Sequence, residues 1–555
     1  METLNIHTLL LRFMKNNMFL FAIYFIFAFL QYPIHDIYIP DYYGKVINSF
    51  KDKNSSFIFF FKMLVFLYIL EWLFDGLVMI SLYYIVPDFT EYITGTMFEF
   101  IIDNYELDFE NIPIGEILSK IIRIPNILFD YINIIKYDFL RYIFVFTNGF
   151  IHYYGVSTNL SILYSFIIAL NYIFIYTMYI NYNYYEMKSN YHQDNIYELL
   201  IDCLNNLTSI YAFNQEEAEK QNFYDNIYAK FKQILYATKG LSFKGNVVWG
   251  ITMVIVFISM NYVMYQAYLK KEITAEKAVS TFIITFSLIR MLENAEKISY
   301  GFSRIQCQIK DSENFFNNIS KFNTNDNKMN NRTFKNGNIV YSHVYHKYGD
   351  EFVLENINLS IEKGENIAFV GQIGSGKSTM IKLLLGFQPL RMGHITIGGV
   401  DVNDISNKEL RKYIFYIPQK PKLFNRTLYE NIVYGLKKPP SKEEIIKLLD
   451  DLELTDLKVE FGQKMDVLVG VEGNKLSGGQ RQIVWLLRSL FRPSYILVLD
   501  EPTASLDPEN KKIMISIIQK MSVGKTVIIV SHDDIDASFR KVQFNEGRMI
   551  ENSYF

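Results

Sequence analysis

The sequence has little cysteine: two residues, Cys203 and Cys307, in a chain of 555. Two thiols far apart make neither a disulfide framework nor a cysteine metal cluster. It also has no excess of either charge. A formal net charge of −3 gives no electrostatic footprint for general nucleic-acid binding. Long apolar runs are nearly missing beyond residue 300. The opening stretch, Met1–Asn17, carries only Glu2, Arg12 and Lys15 as charged residues. That is neither a presequence nor a cleavable signal with a small-residue cleavage site, so the first apolar run is expected to stay in the protein as a helix.

What is present is apolar and aromatic: half of the chain is hydrophobic, with 41 Tyr and 46 Phe. The runs "MFLFAIYFIFAFLQYPI" (18–34), "LSILYSFIIALNYIFIYTMYI" (160–180) and "NVVWGITMVIVFISMNYVMYQAYL" (246–269) hold no charge. About 20 such residues cross a membrane as a helix. Residues 57–85 are interrupted by Lys62, Glu71 and Asp75, and 277–299 by Arg290 and Glu293. A shorter, more polar run occupies 139–157. Together these predict six spans, about 17–39, 57–85, 139–157, 160–181, 246–269 and 277–299, with both chain ends on one side. The polar stretches 86–138 and 182–243 read either as soluble insertions or as spanning helices that continue beyond the membrane. Neither has apolar residues for a core of its own, which favours the second reading. Charges inside spans are costly and tend to pair. Glu71 and Asp75, four apart and on one helical face, are expected to face a cavity and to pair with Arg290, Glu293, Glu296 or Lys297. They then either fix packing or meet a polar substrate.

The Asn-rich stretch 321–338 reads as a linker, so that 1–320 is a membrane domain and 339–555 a second domain. There, "IAFV" (367–370), "YILVL" (495–499) and "VIIV" (527–530) read as buried parallel strands alternating with helices. The expected fold is a membrane α-helical six-span domain followed by an α/β P-loop nucleotide-binding domain.

"GQIGSGKST" is a phosphate loop between a strand and a helix. In it Gly371, Gly374, Ser375, Gly376 and Thr379 shape a cradle of backbone N–H groups. Lys377 supplies charge to the β and γ oxygens, and Ser378 a hydroxyl for Mg²⁺. "YILVLDE" sets Asp500 at the carboxyl end of a strand, where it would hold Mg²⁺, with Glu501 beside it to orient or deprotonate water. His532, after "VIIV", reads as a structural histidine or as a γ-phosphate contact. Tyr348 reads as a core tyrosine or as a stacking platform for adenine. Gln419 in "YIPQK" says little alone.

In order, Tyr348, the phosphate loop, Gln419, "LSGGQ" (476–480), Asp500–Glu501, "SLD" (505–507) and His532 resemble the ABC transporter family of exporter-type half transporters. The resemblance implies ATP and Mg²⁺ as cofactors, Gln419 as a catalytic and metal-site residue, and Asp507 as a nucleotide contact. It also implies that Ser477, Gly478, Gly479 and Gln480 hold the γ-phosphate bound by Lys377 of a second chain. The partner is then a second half transporter, most simply a homodimer with two working ATP sites, and membrane lipids surround it. The function implied is ATP-driven export of a small molecule, peptide or lipid. The alternatives are a lipid flippase on the same frame and a non-transporting ATP-gated channel or regulator. The nucleotide domain would face the cytosol or an organelle matrix, with segments near 100–115 and 203–213 transmitting its closure. Residues 419–435 are similar to the B-type half transporters, of which the mitochondrial group linked to glutathione and iron–sulfur chemistry is the nearest. "NAEKISYGFS" (294–303) departs from that group's pattern, so substrate and compartment do not carry over.

Overall fold

The computed structural model describes residues 5–49, 56–104, 113–322, 332–503, 508–532 and 538–550. The chain divides into two compact units, the second beginning at Phe322.

The first unit is helical. Among the described residues, five helices are long and apolar enough to cross a membrane: Met18–Ser49, Phe57–Asn104, Thr158–Asn205, Glu216–Leu269 and Ala275–Asn317. The expected span 139–157 is not among them. It occupies the end of a continuous helical run made of Ile114–Ile134, a π-helical turn Ile135–Leu140, and Arg141–Tyr154. A helix of 48 residues reaches roughly 70 Å, more than twice the roughly 30 Å hydrocarbon core. The polar segment after 182 is therefore largely helix: Thr158–Asn205 runs on unbroken, and Ala229–Leu269 carries the chain back.

A second π-helical turn, Ile34–Tyr38, follows Pro33, which cannot donate to the helical ladder. These two, of three π-helical turns among the described residues, lie on helices that face each other. Tyr32 donates to the carbonyl of Lys136 at 2.6 Å. Asp36, 5% exposed, takes a two-pronged bond from Arg141, Nη2 to Oδ1 at 2.8 Å and Nε to Oδ2 at 3.1 Å. Farther along, fully buried Lys120 touches Glu116, Asp194 and Asp311, tying three helical segments together.

The charges singled out in the sequence do not pair with one another. Glu71 binds His35 Nδ1 at 2.9 Å, and Glu296 accepts from the Tyr182 hydroxyl. Arg290 lies over the Phe286 ring. The reason is local: the helix breaks between Leu292 and Ala295, which leaves Glu293 and Lys297 exposed.

Among its described residues the second unit holds ten strands: β1 Ile339–Tyr348, β2 Glu351–Ile361, β3 Asn366–Gly371, β4 Met392–Ile397, β5 Val400–Asp401, β6 Ile414–Ile417, β7 Ile496–Asp500, β8 Thr526–Ser531, β9 Arg540–Asn545 and β10 Arg548–Ile550. One sheet is antiparallel in the order β2-β1-β4-β5; the other runs β10-β9-β3-β8-β7-β6. In the second sheet every neighbouring pair is parallel except the β10–β9 edge. β7 and β8 are buried at every residue. That burial explains their unbroken apolar sequences, since helices and the other sheet leave them no solvated face.

Candidate nucleotide site

The parallel order β3-β8-β7-β6 brings four chain segments to one sheet edge, beyond the carboxyl ends of the strands. That is where open α/β sheets bind ligands. β3 ends at Gly371 and opens into the phosphate loop, which turns into helix Lys377–Leu384. The helix begins at Gly376 with φ 96°, in the left-handed region, and has no side-chain cap. A Cβ there would lie 2.8 Å from the Val353 carbonyl oxygen, so glycine is needed both for the turn and for the close approach. With no cap, the first N–H groups of this helix stay open to an anion.

Lys377 is 3% exposed and folds back over the loop. Its Nζ donates to the carbonyls of Gly371 at 2.8 Å and Gln372 at 2.6 Å, and to Ser375 Oγ at 3.2 Å. Burial lowers its pKa, against the pull of Glu501 and Asp500. Ser378 Oγ lies 3.3 Å from Asp500 Oδ1. Burial raises the pKa of Asp500, the Ser378 bond opposes the rise, and neighbouring Glu501 adds to it.

Glu501 has φ 50°, unusual for a residue with a Cβ. Its N–H is held by the Val530 carbonyl at 3.0 Å, so the neighbouring strand fixes a strained residue at the reactive end of β7. One carboxylate oxygen lies 2.6 Å from His532 Nε2; the other accepts from Gln419 Nε2 at 2.5 Å. The other ring nitrogen of His532 lies 2.8 Å from the Gly371 carbonyl oxygen. Glu501, His532 and Gln419 thus form one chain of contacts that ends on the phosphate loop.

Tyr348 ends β1 with its ring 44% exposed, against the edge of the His346 ring; it is not a core tyrosine. Tyr416 on β6, missed in the sequence, sets its hydroxyl 3.4 Å from Asp500 Oδ2. The signal available was a polar tip on an otherwise apolar strand, "IFYI".

Ser477 caps a different helix, Gly478–Phe491. Its hydroxyl accepts from the Gln480 N–H at 3.2 Å, and the Gln480 side chain accepts from the Ser477 N–H at 2.8 Å, a reciprocal capping box. Among the described residues, no hydrogen bond or ion pair joins Ser477, Gly478, Gly479 or Gln480 to the group around Lys377. Asp507 lies outside the described residues.

Comparison with known proteins agrees with this arrangement. A family model described as "ABC transporter" matches residues 354–504, and one described as "ABC transporter transmembrane region" matches 21–289. The chain is 34% identical over 218 residues to the transport/processing ATP-binding protein ComA of Streptococcus pneumoniae, 39% of this chain and 30% of that protein. It is 40% identical over 197 residues to the uncharacterized ABC transporter ATP-binding protein YwjA of Bacillus subtilis, 35% of this chain and 34% of that one. To the ATP-dependent lipid A-core flippase of Idiomarina loihiensis it is 35% identical over 219 residues, 39% and 38% of the two chains. The chain thus spans about a third of the length of these relatives. The solved structure of a bacterial Atm1-family ABC exporter with ATP bound superposes with a TM-score of 0.83 at 19% identity, over 98% of this chain and 95% of that one. At that identity the likeness is one of fold.

Proposed function

Because the chain belongs to the ABC transporter family, we propose that it is an ATP-hydrolysing exporter that works as a pair of chains. The observation that carries this reading is Glu501, held between His532 and Gln419 within reach of the phosphate loop, in an integral membrane protein with long apolar helices. A channel or regulator gated by ATP alone has no need of an oriented base.

In this reading the membrane domain is 1–320, the linker 321–338 and the nucleotide domain 339–555. The helical run Ile114–Tyr154 supplies the third of six spans, and the nucleotide domain faces the cytosol or a matrix. The N–H groups of Gly374–Thr379, from a loop opened by Gly371, and the ammonium of Lys377 hold the β- and γ-phosphates. Tyr348 stacks on adenine. Glu501 takes a proton from the attacking water, and His532 holds the γ-phosphate.

The oxygens at the loop fit Mg²⁺: a serine hydroxyl and a carboxylate 3.3 Å apart, like the amide oxygen of Gln419, are hard donors of the kind this ion takes. Ser378, Asp500 and Gln419 would hold it. When bound, it would offset the charge that develops on the phosphate oxygens. Asp500 is buried in surroundings that raise its pKa, so a cation beside it would relieve an unfavourable charge.

Ser477, Gly478, Gly479, Gln480 and Asp507 would act on the nucleotide held by the second copy. Driving an equilibrium from 1:99 to 99:1 needs about 5.5 kcal/mol of differential binding, which two nucleotides gripped between two chains can supply. The relative named as a lipid A-core flippase favours lipid as a second class of cargo on the same frame.

The test is Mg-ATP hydrolysis and ATP-driven uptake by the full chain in liposomes. Glu501→Gln is expected to stop both while nucleotide still binds. Hydrolysis that survives this change would remove the proposed mechanism.

A further inference from the structure

The membrane unit holds a cavity of about 690 Å³, within the roughly 300–1,000 Å³ of small-molecule sites. Three helical segments wall it with rings: Phe139 and Phe146 from the run Ile114–Tyr154, Tyr172 and Tyr176 from Thr158–Asn205, and Phe302 from Ala295–Phe322. Among the described residues no acidic or basic side chain lines it. Ser299, also on the wall, donates its hydroxyl to the carbonyls of Ile175 and Ala295.

The wall is built by the same feature that sorts charge. Phe139 and Ile135 lie on the π-helical turn Ile135–Leu140. Such turns re-aim side chains and recur at functional sites. Here the turn sends the Phe139 ring to the cavity, where it is 62% exposed. It sends Lys136 the other way, fully buried with its Nζ 5.3 Å from the centre of the Tyr24 ring. Arg141, one residue past the turn, is engaged by Asp36. The cations of this segment are thus kept off the wall, and aromatic faces are left on it. An anion entering the cavity would lose its hydration and meet tyrosine hydroxyls but no cationic side chain among the described residues. An uncharged ring system would stack against edges and faces that are already exposed.

We propose that this cavity binds the transported molecule, and that this molecule has an uncharged, aromatic body. The proposal rests on the export reading and names its cargo class. The test uses the full chain in lipid nanodiscs, with Nile red as the neutral aromatic probe and its fluorescence polarisation as the readout. Pyrene displaces the probe from the unaltered protein, and glutathione disulfide does not; displacement by glutathione disulfide alone overturns the proposal. Phe139→Ala with Tyr176→Ala weakens probe binding by about tenfold or more, whereas Tyr176→Phe keeps it. Equal binding in all three overturns the proposal, because the probe then sits in the bilayer. Absence of binding overturns it too, because a helix of a second copy or a lipid chain then fills the space. Mg-ATP hydrolysis sensitive to Glu501→Gln is measured in the same samples. Its absence sinks the export reading, whereas its presence without probe binding sinks the cargo class alone.

Discussion

Two helices in the second unit begin with glycine-rich turns, and they begin differently. Helix Lys377–Leu384 starts from a left-handed glycine with no side-chain cap. Helix Gly478–Phe491 starts from Ser477 and is closed by its own reciprocal cap with Gln480. Both ends carry the partial positive charge of a helix N-terminus. The first leaves its donors open and sets a buried lysine beside them, which suits an anion held within one chain. The second already satisfies the donor that a phosphate would want most. A capped end is a weak site by itself and becomes useful when another surface delivers the anion to it. The difference therefore suits the proposed division of labour, in which one turn would bind nucleotide and the other would meet nucleotide bound elsewhere.

Six substitutions break or sharpen that contrast. The largest effect is expected from Glu501→Gln, which should cut phosphate release by about 10²–10⁴-fold and leave ATP affinity intact, separating chemistry from both turns. Next, Lys377→Ala should weaken nucleotide binding by about 1.5–3 kcal/mol, the range for hydrogen bonds to charged groups, while Gln480→Ala should leave it unchanged in a nucleotide titration. Equal losses would erase the contrast. Third, Gly376→Ala places a Cβ against the Val353 carbonyl at a left-handed residue and should lower stability by about 1–3 kcal/mol in thermal melts. Gly478→Ala meets no atom within 4 Å and should stay within about 0.5 kcal/mol. A fall in its hydrolysis would then report contact with another chain rather than a damaged fold. Between the two glycine changes lies Ser477→Ala, which removes the cap and should cost about 1 kcal/mol.

The residues proposed to hold nucleotide could be picked out because phosphate chemistry demands fixed residue types at fixed spacings. Gly371–Thr379, Asp500, Glu501, Gln419 and His532 could be named from the chain, and the sheet gathers them at one edge. Tyr416 was not legible, because an aromatic residue on a buried strand looks like packing. The buried strands could be read from their apolar runs; the antiparallel sheet β2-β1-β4-β5 could not, since its strands alternate and bulge. The membrane unit disclosed its long helices through composition alone. The pairing of charges was hidden, because it depends on which helices are neighbours. Glu71 was read against Arg290 when its partner is His35, and Asp36 and Arg141 drew no notice although they form the two-pronged bond. The π turns that align them have no sequence signature beyond Pro33.

The bond between Asp36 and Arg141 also bears on how the protein is made. A carboxylate buried without its partner carries the cost of its lost hydration. The acid emerges from the ribosome first, and its counter-charge follows 105 residues later. The bond that occupies buried Asp36 therefore forms only once the helix that carries Arg141 has been made and lies beside the first apolar helix.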